Sequence, residues 1–201
     1  MNDQKWQQGN LIEVEIIDLN SSGDGVGKID GQVVFVPDTV TGDRCLVRLL
    51  KLKSKYAEGK LEKLLEASPH RIRPRCIVAD KCGGCQWQHI NYEYQLQVKR
   101  ERVYQALQRI GGFSQPNVAP ILHNSNDLHY RNKSTYPLSR SATGNVQAGY
   151  YRKGSNQLIN LNQCPVQDSR LNPLLAEIKQ DIQQQGWSIY NEKLHRGKLR
   201  H

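Results

Sequence analysis

Five cysteines are spread unevenly along this chain. Three fall within RCIVADKCGGCQWQH, at Cys76, Cys82 and Cys85, spaced Cys-x5-Cys-x2-Cys. A fourth, Cys164, stands alone before a proline in LNQCPVQ. The thiolate is the metal-binding form of cysteine, and thiolates gathered this closely suit a metal centre. Four of them can hold zinc tetrahedrally or bind an iron–sulfur cluster. Zinc sites commonly use two close Cys-x2-Cys pairs. Here the close set is three, and the remote fourth is followed by Pro165, which favours a 4Fe–4S cluster. Gly83 and Gly84 let the backbone bend around a bulky core and aim its amides at sulfur. Ligand type does not separate the two metals, so zinc and a ligand-free set of thiols both stay open. His89 is near enough in sequence to substitute as a ligand; with four cysteines present it reads as structural or as a hydrogen-bonding support. Cys45, between Arg44 and Leu46, reads as a small apolar core residue.

The elements that must position these thiols lie in a basic setting. Net charge over 201 residues is +9. Residues 1–70 carry nine Lys/Arg against eleven Asp/Glu, whereas residues 71–201 carry nineteen against eight. The excess sits with the cysteines, and a field of that sign favours a polyanion, nucleic acid first. A merely soluble basic surface is the plain alternative. No apolar run approaches the roughly 20 residues of a membrane helix, and MNDQKWQQGN has no secretory pattern. The expected location is the cytoplasm, where cysteines stay reduced and disulfides are disfavoured.

Along the chain, residues 1–66 read as short strands with glycine turns, which suggests a small closed barrel. NLIEVEIIDLN is a strand with Leu11, Val14, Ile16 and Ile17 supplying most of the bulk. SSGDGVGKIDG should turn, its glycines at 23, 25 and 27 serving positive φ rather than a phosphate loop. VVFVP stops at Pro37, and DRCLVRLLKLKSKYAEGKLEKLLE makes two more strands. Lys51, Lys53 and Lys55 would share one strand face, either to track a phosphate backbone or to guard a sheet edge. ASPHRIRPR (67–75) reads as a linker at a domain boundary.

After the cysteine loop, NYEYQLQVKRERVYQALQRIGG should be a helix capped by Asn91, with Leu96, Val103, Leu107 and Ile110 on one face. Residues 117–161 read as strand and turn. LHYRNKSTYPLS places Arg131 and Lys133 two apart, and GNVQAGYYRKGSNQLINL is a hairpin carrying Tyr150 and Tyr151 beside Arg152 and Lys153. Aromatic and basic neighbours suit base stacking and phosphate, though at least one of the tyrosines should pack in the core. A second helix is expected from Ser169 to Gln185, with Leu171, Leu174, Leu175, Ile178 and Ile182 inward. Near Gly197 an apparent strand has nothing after it to pair with.

With these residues in view, the chain resembles the bacterial RNA 5-methyluridine methyltransferases that carry a TRAM domain and an iron–sulfur cluster, most closely their 23S rRNA (uracil-5-) type. Residues 23–61 resemble the TRAM module, an OB-like barrel that binds RNA. CIVADKCGGCQWQHINYEYQLQVKRERV resembles the cluster loop and its helix, YRNKSTYPLS the start of an RNA-facing sheet, and GYYRKGSNQLINLNQCPVQ the strand that brings the fourth ligand. The resemblance implies Cys76, Cys82, Cys85 and Cys164 as 4Fe–4S ligands.

It also implies a methyltransferase domain that binds S-adenosylmethionine, where a cysteine attacks uracil C6 and a carboxylate removes the C5 proton. No glycine-rich cofactor turn of the dinucleotide-binding kind is evident here, and no defensible nucleophile–base pair. The expectation is therefore β plus α+β: a TRAM barrel (1–66), a linker with cluster loop and helix (67–112), and a partial central α+β domain (113–201), with the methyltransferase domain absent and S-adenosylmethionine entering only through it. The expected partner is RNA, 23S rRNA in particular, bound by a monomer with no catalytic residues of its own. The alternative is a free-standing RNA-binding module or a truncated gene product.

Overall fold

The computed structural model describes residues 6–201; the first five residues of the expected barrel domain lie outside the described ones. Two compact units emerge. One comprises the chain up to Pro74 together with Gln86–His123, the other Arg75–Cys85 together with Asn124–His201. The block expected over 67–112 is thus shared: its cysteine loop goes to the second unit, its linker and helix to the first.

In the first unit, β1 (Leu11–Leu19), β2 (Gly25–Ile29), β3 (Gln32–Val36), β4 (Arg44–Leu52) and β5 (Tyr56–Glu66) close into a barrel in the order β1-β2-β3-β5-β4. Parallel pairing of β3 with β5 completes the circuit of otherwise antiparallel strands. Alternation along β1 turns Ile12, Val14 and Ile16 inward against Val34, Val36, Val47 and Leu49. Of the four residues that supply most of the strand's bulk, Val14 and Ile16 are buried while Leu11 and Ile17 are about half exposed. A register shift between Ile16 and Asp18 moves the inward position on to Leu19. Cys45 is fully buried in this core, as expected.

The stretch expected to turn is itself a strand, β2. Gly23 has φ +93 and does turn. A Cβ on Gly25, however, would lie 1.9 Å from Thr39 Oγ1, and one on Gly27 would lie 2.1 Å from Val14 Cγ1. Those two glycines are there because the side chains of Thr39 and Val14 come too close for any side chain.

The segment after β5 is fastened rather than loose. Asp43, fully buried, accepts hydrogen bonds from the amides of Val40 and Ser68 and from the Arg71 guanidinium, with Arg71 Nη2 2.5 Å from its Oδ2. Helix α1 (Tyr92–Arg109) starts at Asn91, whose side chain accepts from the amides of Glu93 and Tyr94. Its packing face is not the expected one. Tyr94 and Val98 meet Leu19, Val40 and Ile90, while Val103 and Ile110 stay exposed. Trp87 reinforces this face: its indole N–H donates to Gly23 O at 3.2 Å, and Arg102 lies over its ring while also donating to Asn20 O.

The second unit holds a three-stranded sheet, β6 (Leu138–Arg140), β7 (Val146–Tyr151) and β8 (Leu158–Asn160), in that order. A single 3-10 turn (Ser169–Leu171) leads into α2 (Asn172–Gln184). Leu175 of α2 packs on Ala148 and Leu161, and Ile182 is also buried; Leu174 and Ile178, expected inward, are exposed. Pro173 fits the first turn, where a missing N–H costs nothing. No described helix is long and apolar enough to cross a membrane.

Candidate metal centre and nucleic-acid interface

All four cysteines of the expected ligand set belong to the second unit. The loop that carries three of them is pinned to the β7–β8 hairpin. Gly83 N donates to Tyr151 O at 2.9 Å, Lys153 N donates to Lys81 O at 2.9 Å, and Cys82 bridges to Arg152. Within the loop, the amides of Lys81 and Cys82 donate to Val78 O, and Gly84 N points at Cys82 Sγ at 3.4 Å. A Cβ on Gly84 would sit 3.0 Å from the Tyr150 ring, so the tight loop needs glycine for space.

Cys164 is held separately. The Cys164–Asp168 segment runs parallel to His129–Arg131, with His129 N donating to Pro165 O and Arg131 N to Val166 O. Cys164 N donates to Asn172 Oδ1 at the start of α2. Gln167, 1% exposed, takes the Tyr136 hydroxyl at 2.6 Å and donates to Asn172. Lys179 Nζ donates to Leu161 O and Asn162 Oδ1 just upstream, and burial lowers its pKa. Sequence reasoning missed Gln167, Asn172 and Lys179. Only the presence of a glutamine three residues after a candidate ligand could have hinted at the first.

Burial pushes the Cys76 thiol up, and nearby Cys164, Cys85 and Asp80 push the same way. Burial also raises Cys82, with Cys85, Cys76 and Cys164 adding to it. All are free thiols, Cys82 and Cys164 buried, Cys76 and Cys85 half-buried. Among the described residues no group of three or more His, Cys, Asp or Glu side chains is arranged to hold a metal ion. His89 belongs to the first unit, with its Nε2 3.3 Å from Thr39 O.

The basic residues sort unevenly. Lys51 ends β4 and pairs with Glu58 at 2.9 Å, whereas Lys53 and Lys55 sit in the β4–β5 turn, so the expected row on one strand face does not form. The strand that ends at Leu52 cannot carry the alternation further. Arg131 donates to the Tyr150 hydroxyl at 3.0 Å and lies 5.8 Å from its ring centroid. Lys133 is exposed on irregular chain, since residues 132–137 form no strand. Arg152 and Lys153 occupy the hairpin that grips the cysteine loop. Tyr150 packs against the core and Tyr151 remains 42% exposed, the division the sequence suggested.

Comparison with known proteins fits this architecture. An uncharacterized RNA methyltransferase of Nostoc sp. is 69% identical over 201 residues, all of this chain and 44% of that protein. One of Synechocystis sp. is 59% identical over 98% of this chain and 42% of its own length. The chain therefore spans less than half the length of these curated relatives. The crystal structure of Pyrococcus abyssi tRNA (uracil-54, C5)-methyltransferase, in complex with S-adenosyl-L-homocysteine, superimposes with a TM-score of 0.62 at 28% identity, covering 93% of this chain and 41% of that one. The expected absence of a methyltransferase domain finds no support in a match that covers nearly the whole chain. Residues 5–61 match the TRAM domain, and the barrel at the start of this chain is a TRAM domain.

Proposed function

We propose that the chain is the RNA-gripping portion of an S-adenosylmethionine-dependent RNA uracil-C5 methyltransferase, acting as a monomer. In this reading Cys76, Cys82, Cys85 and Cys164 hold a 4Fe–4S cluster. The observation that carries the reading is the convergence of four thiols from two distant stretches on one unit, through a loop paired with the Arg152–Lys153 hairpin. The Cys-x5-Cys-x2-Cys spacing, with a remote fourth cysteine before Pro165, supports a cluster over zinc in this reading. When bound, the cluster would supply a rigid anchor for loop and hairpin. Methyl transfer moves no net electrons, so no redox role is required of it.

The chain's own residues bind and shape RNA. Arg131, Lys133, Arg152 and Lys153, with Lys51, Lys53 and Lys55 from the barrel, meet phosphate, while chemistry takes place on a base drawn out of the stack. Cys45 is no candidate nucleophile: it is fully buried, and burial pushes its thiol up to about 11. The substrate proposed is 23S rRNA. A tRNA substrate is the second reading, favoured by the Pyrococcus enzyme.

Anaerobic purification with iron, sulfide and zinc analysis tests the metal. Iron and sulfide in equal amounts, lost in Cys164→Ser, are expected; a colourless zinc-loaded protein overturns the cluster. Binding to 23S rRNA stem-loops and to tRNA under one salt condition tests the RNA. Tighter binding of tRNA would replace the first substrate with the second.

A further inference from the structure

The second unit contains a cleft that the cysteines and their neighbouring basic residues do not explain. One wall is the face of the β6–β7–β8 sheet opposite α2. Alternation along β7 sends Val146, Ala148 and Tyr150 towards the core and leaves Gln147 and Tyr151 on the other side. Register places Ser139 beside Gln147 and Leu158 beside Tyr151 on that same face. The facing wall is the segment from Ser188 to Arg200. The sequence suggested that its last strand-like stretch had nothing to pair with, but it folds back on itself. Tyr190 N donates to Leu199 O at 2.7 Å, Asn191 N to Arg196 O at 2.7 Å, and Leu138 N of β6 to Arg200 O at 3.0 Å. Gly197, with φ +120, is required there, because a Cβ would meet Ile189 O at 2.4 Å. The cleft is therefore held by backbone bonds on both sides before any ligand arrives.

Its volume is about 460 Å³, within the range of small-molecule sites. The lining combines flat rings with amides and cations: Tyr151, Tyr190, Gln147, Gln157 and Arg200. Arg200 lies 5.5 Å from the Tyr190 ring centroid and 3.4 Å from Glu192, which also lines the cleft; both side chains are largely exposed, so the guanidinium can leave this weak pair for a phosphate. Stacking surfaces suit the faces of a nucleobase, amides that both donate and accept suit its edge, and a guanidinium at the mouth suits the attached phosphate. A duplex presents no free base face, so the chemistry selects unpaired RNA.

We propose that this cleft holds one unpaired nucleobase of the bound RNA, stacked on Tyr151, with Arg200 at its phosphate. The site rests on the RNA-binding reading above and adds a contact that senses an unpaired position, distinct from the phosphate contacts at Arg152 and Lys153. Binding of the full chain to a short single-stranded oligouridine and to a duplex RNA of equal length tests it, by fluorescence anisotropy across a salt series. Tyr151→Ala is expected to weaken the single-strand complex about 5- to 100-fold, with the salt slope and duplex binding unchanged. Tyr151→Phe should bind as wild type, because stacking needs the ring and not the hydroxyl. Arg152→Ala/Lys153→Ala should weaken both RNAs and flatten the salt slope. Equal losses in Tyr151→Ala and Tyr151→Phe, or single-strand binding by Tyr151→Ala within twofold of wild type, would overturn the cleft while leaving the RNA reading standing. A wild-type chain that binds neither RNA would remove both. Circular dichroism melts of each variant separate lost binding from lost folding, and Tyr151 is exposed enough for its truncation to leave the sheet intact.

Discussion

Removing the carboxylate of Asp43 should come close to unfolding the barrel unit. Asp43 is fully buried, and its two oxygens serve the amides of Val40 and Ser68 as well as the Arg71 guanidinium, which also donates to Asp38 O. Taking away one partner of a buried pair leaves an uncompensated charge, at a cost of about 3–5 kcal/mol. The Arg71 side chain keeps 18% of its exposure and can turn towards water, which argues for the low end. The two stranded amides argue the other way, since an orphaned buried donor costs about 1–3 kcal/mol. We therefore expect about 4 kcal/mol for Asp43→Ala, a large share of the roughly 5–15 kcal/mol that stabilises a typical domain. For a cooperative unit of 60–100 residues this lowers Tm by roughly 15–30 °C. The control is Glu66→Ala, whose partner Arg44 lies at the surface and whose loss should cost no more than about 1 kcal/mol. Urea titration followed by tryptophan fluorescence reads both, with Trp87 packed beside Leu19, Val40 and Ile90 as reporter. If Asp43→Ala costs no more than Glu66→Ala, Asp43 does not fasten residues 68–71 to the barrel, and that part of the fold is misassigned.

Cys45 sets an alkaline limit. Its folded pKa, pushed by burial to about 11, lies above the unfolded value near 9. The unfolded thiol therefore ionises first, and stability should fall as pH rises from about 9 towards about 11. Melting curves across that range for wild type and Cys45→Ala isolate the effect; identical slopes would refute it. Gly25→Ala should destabilise by about 1–3 kcal/mol, as overpacking does, because its Cβ would collide with Thr39 Oγ1 and Ile16 Cγ2. Chemical denaturation measures this, and a neutral result would mean that β2 can move away from Thr39.

The sequence made legible what period and composition control. Alternation and turn spacing indicated a barrel, Asn91 announced α1, and Gly186, at φ +63, lies just past α2. The failures have physical causes. Leu11 and Ile17 have the bulk of core residues, yet strand parity and a register shift put them outside. Gly25 and Gly27 look like turn residues, because sequence cannot distinguish glycine needed for φ from glycine needed for room. The lysine triplet failed because a turn begins after Leu52, a boundary that a run of alternating lysines hides. Around the candidate centre, cysteine spacing identified the sulfurs but not their supports. Gln167, Asn172 and Lys179 act across irregular chain, where no periodicity points to a partner.

The pairing of Lys81–Gly83 with Tyr151–Lys153 also sets a timetable. During synthesis, Cys85 leaves the ribosome about 80 residues ahead of Cys164, an interval of roughly 4–16 s at 5–20 residues per second. For most of that wait the loop has neither its hairpin nor its fourth sulfur, while the barrel strands ahead of it have all been made. The newborn chain therefore passes through a stage with three solvent-facing thiols and no template to organise them. Oxidants and adventitious metals have their best access then, before the later strands arrive to close the unit.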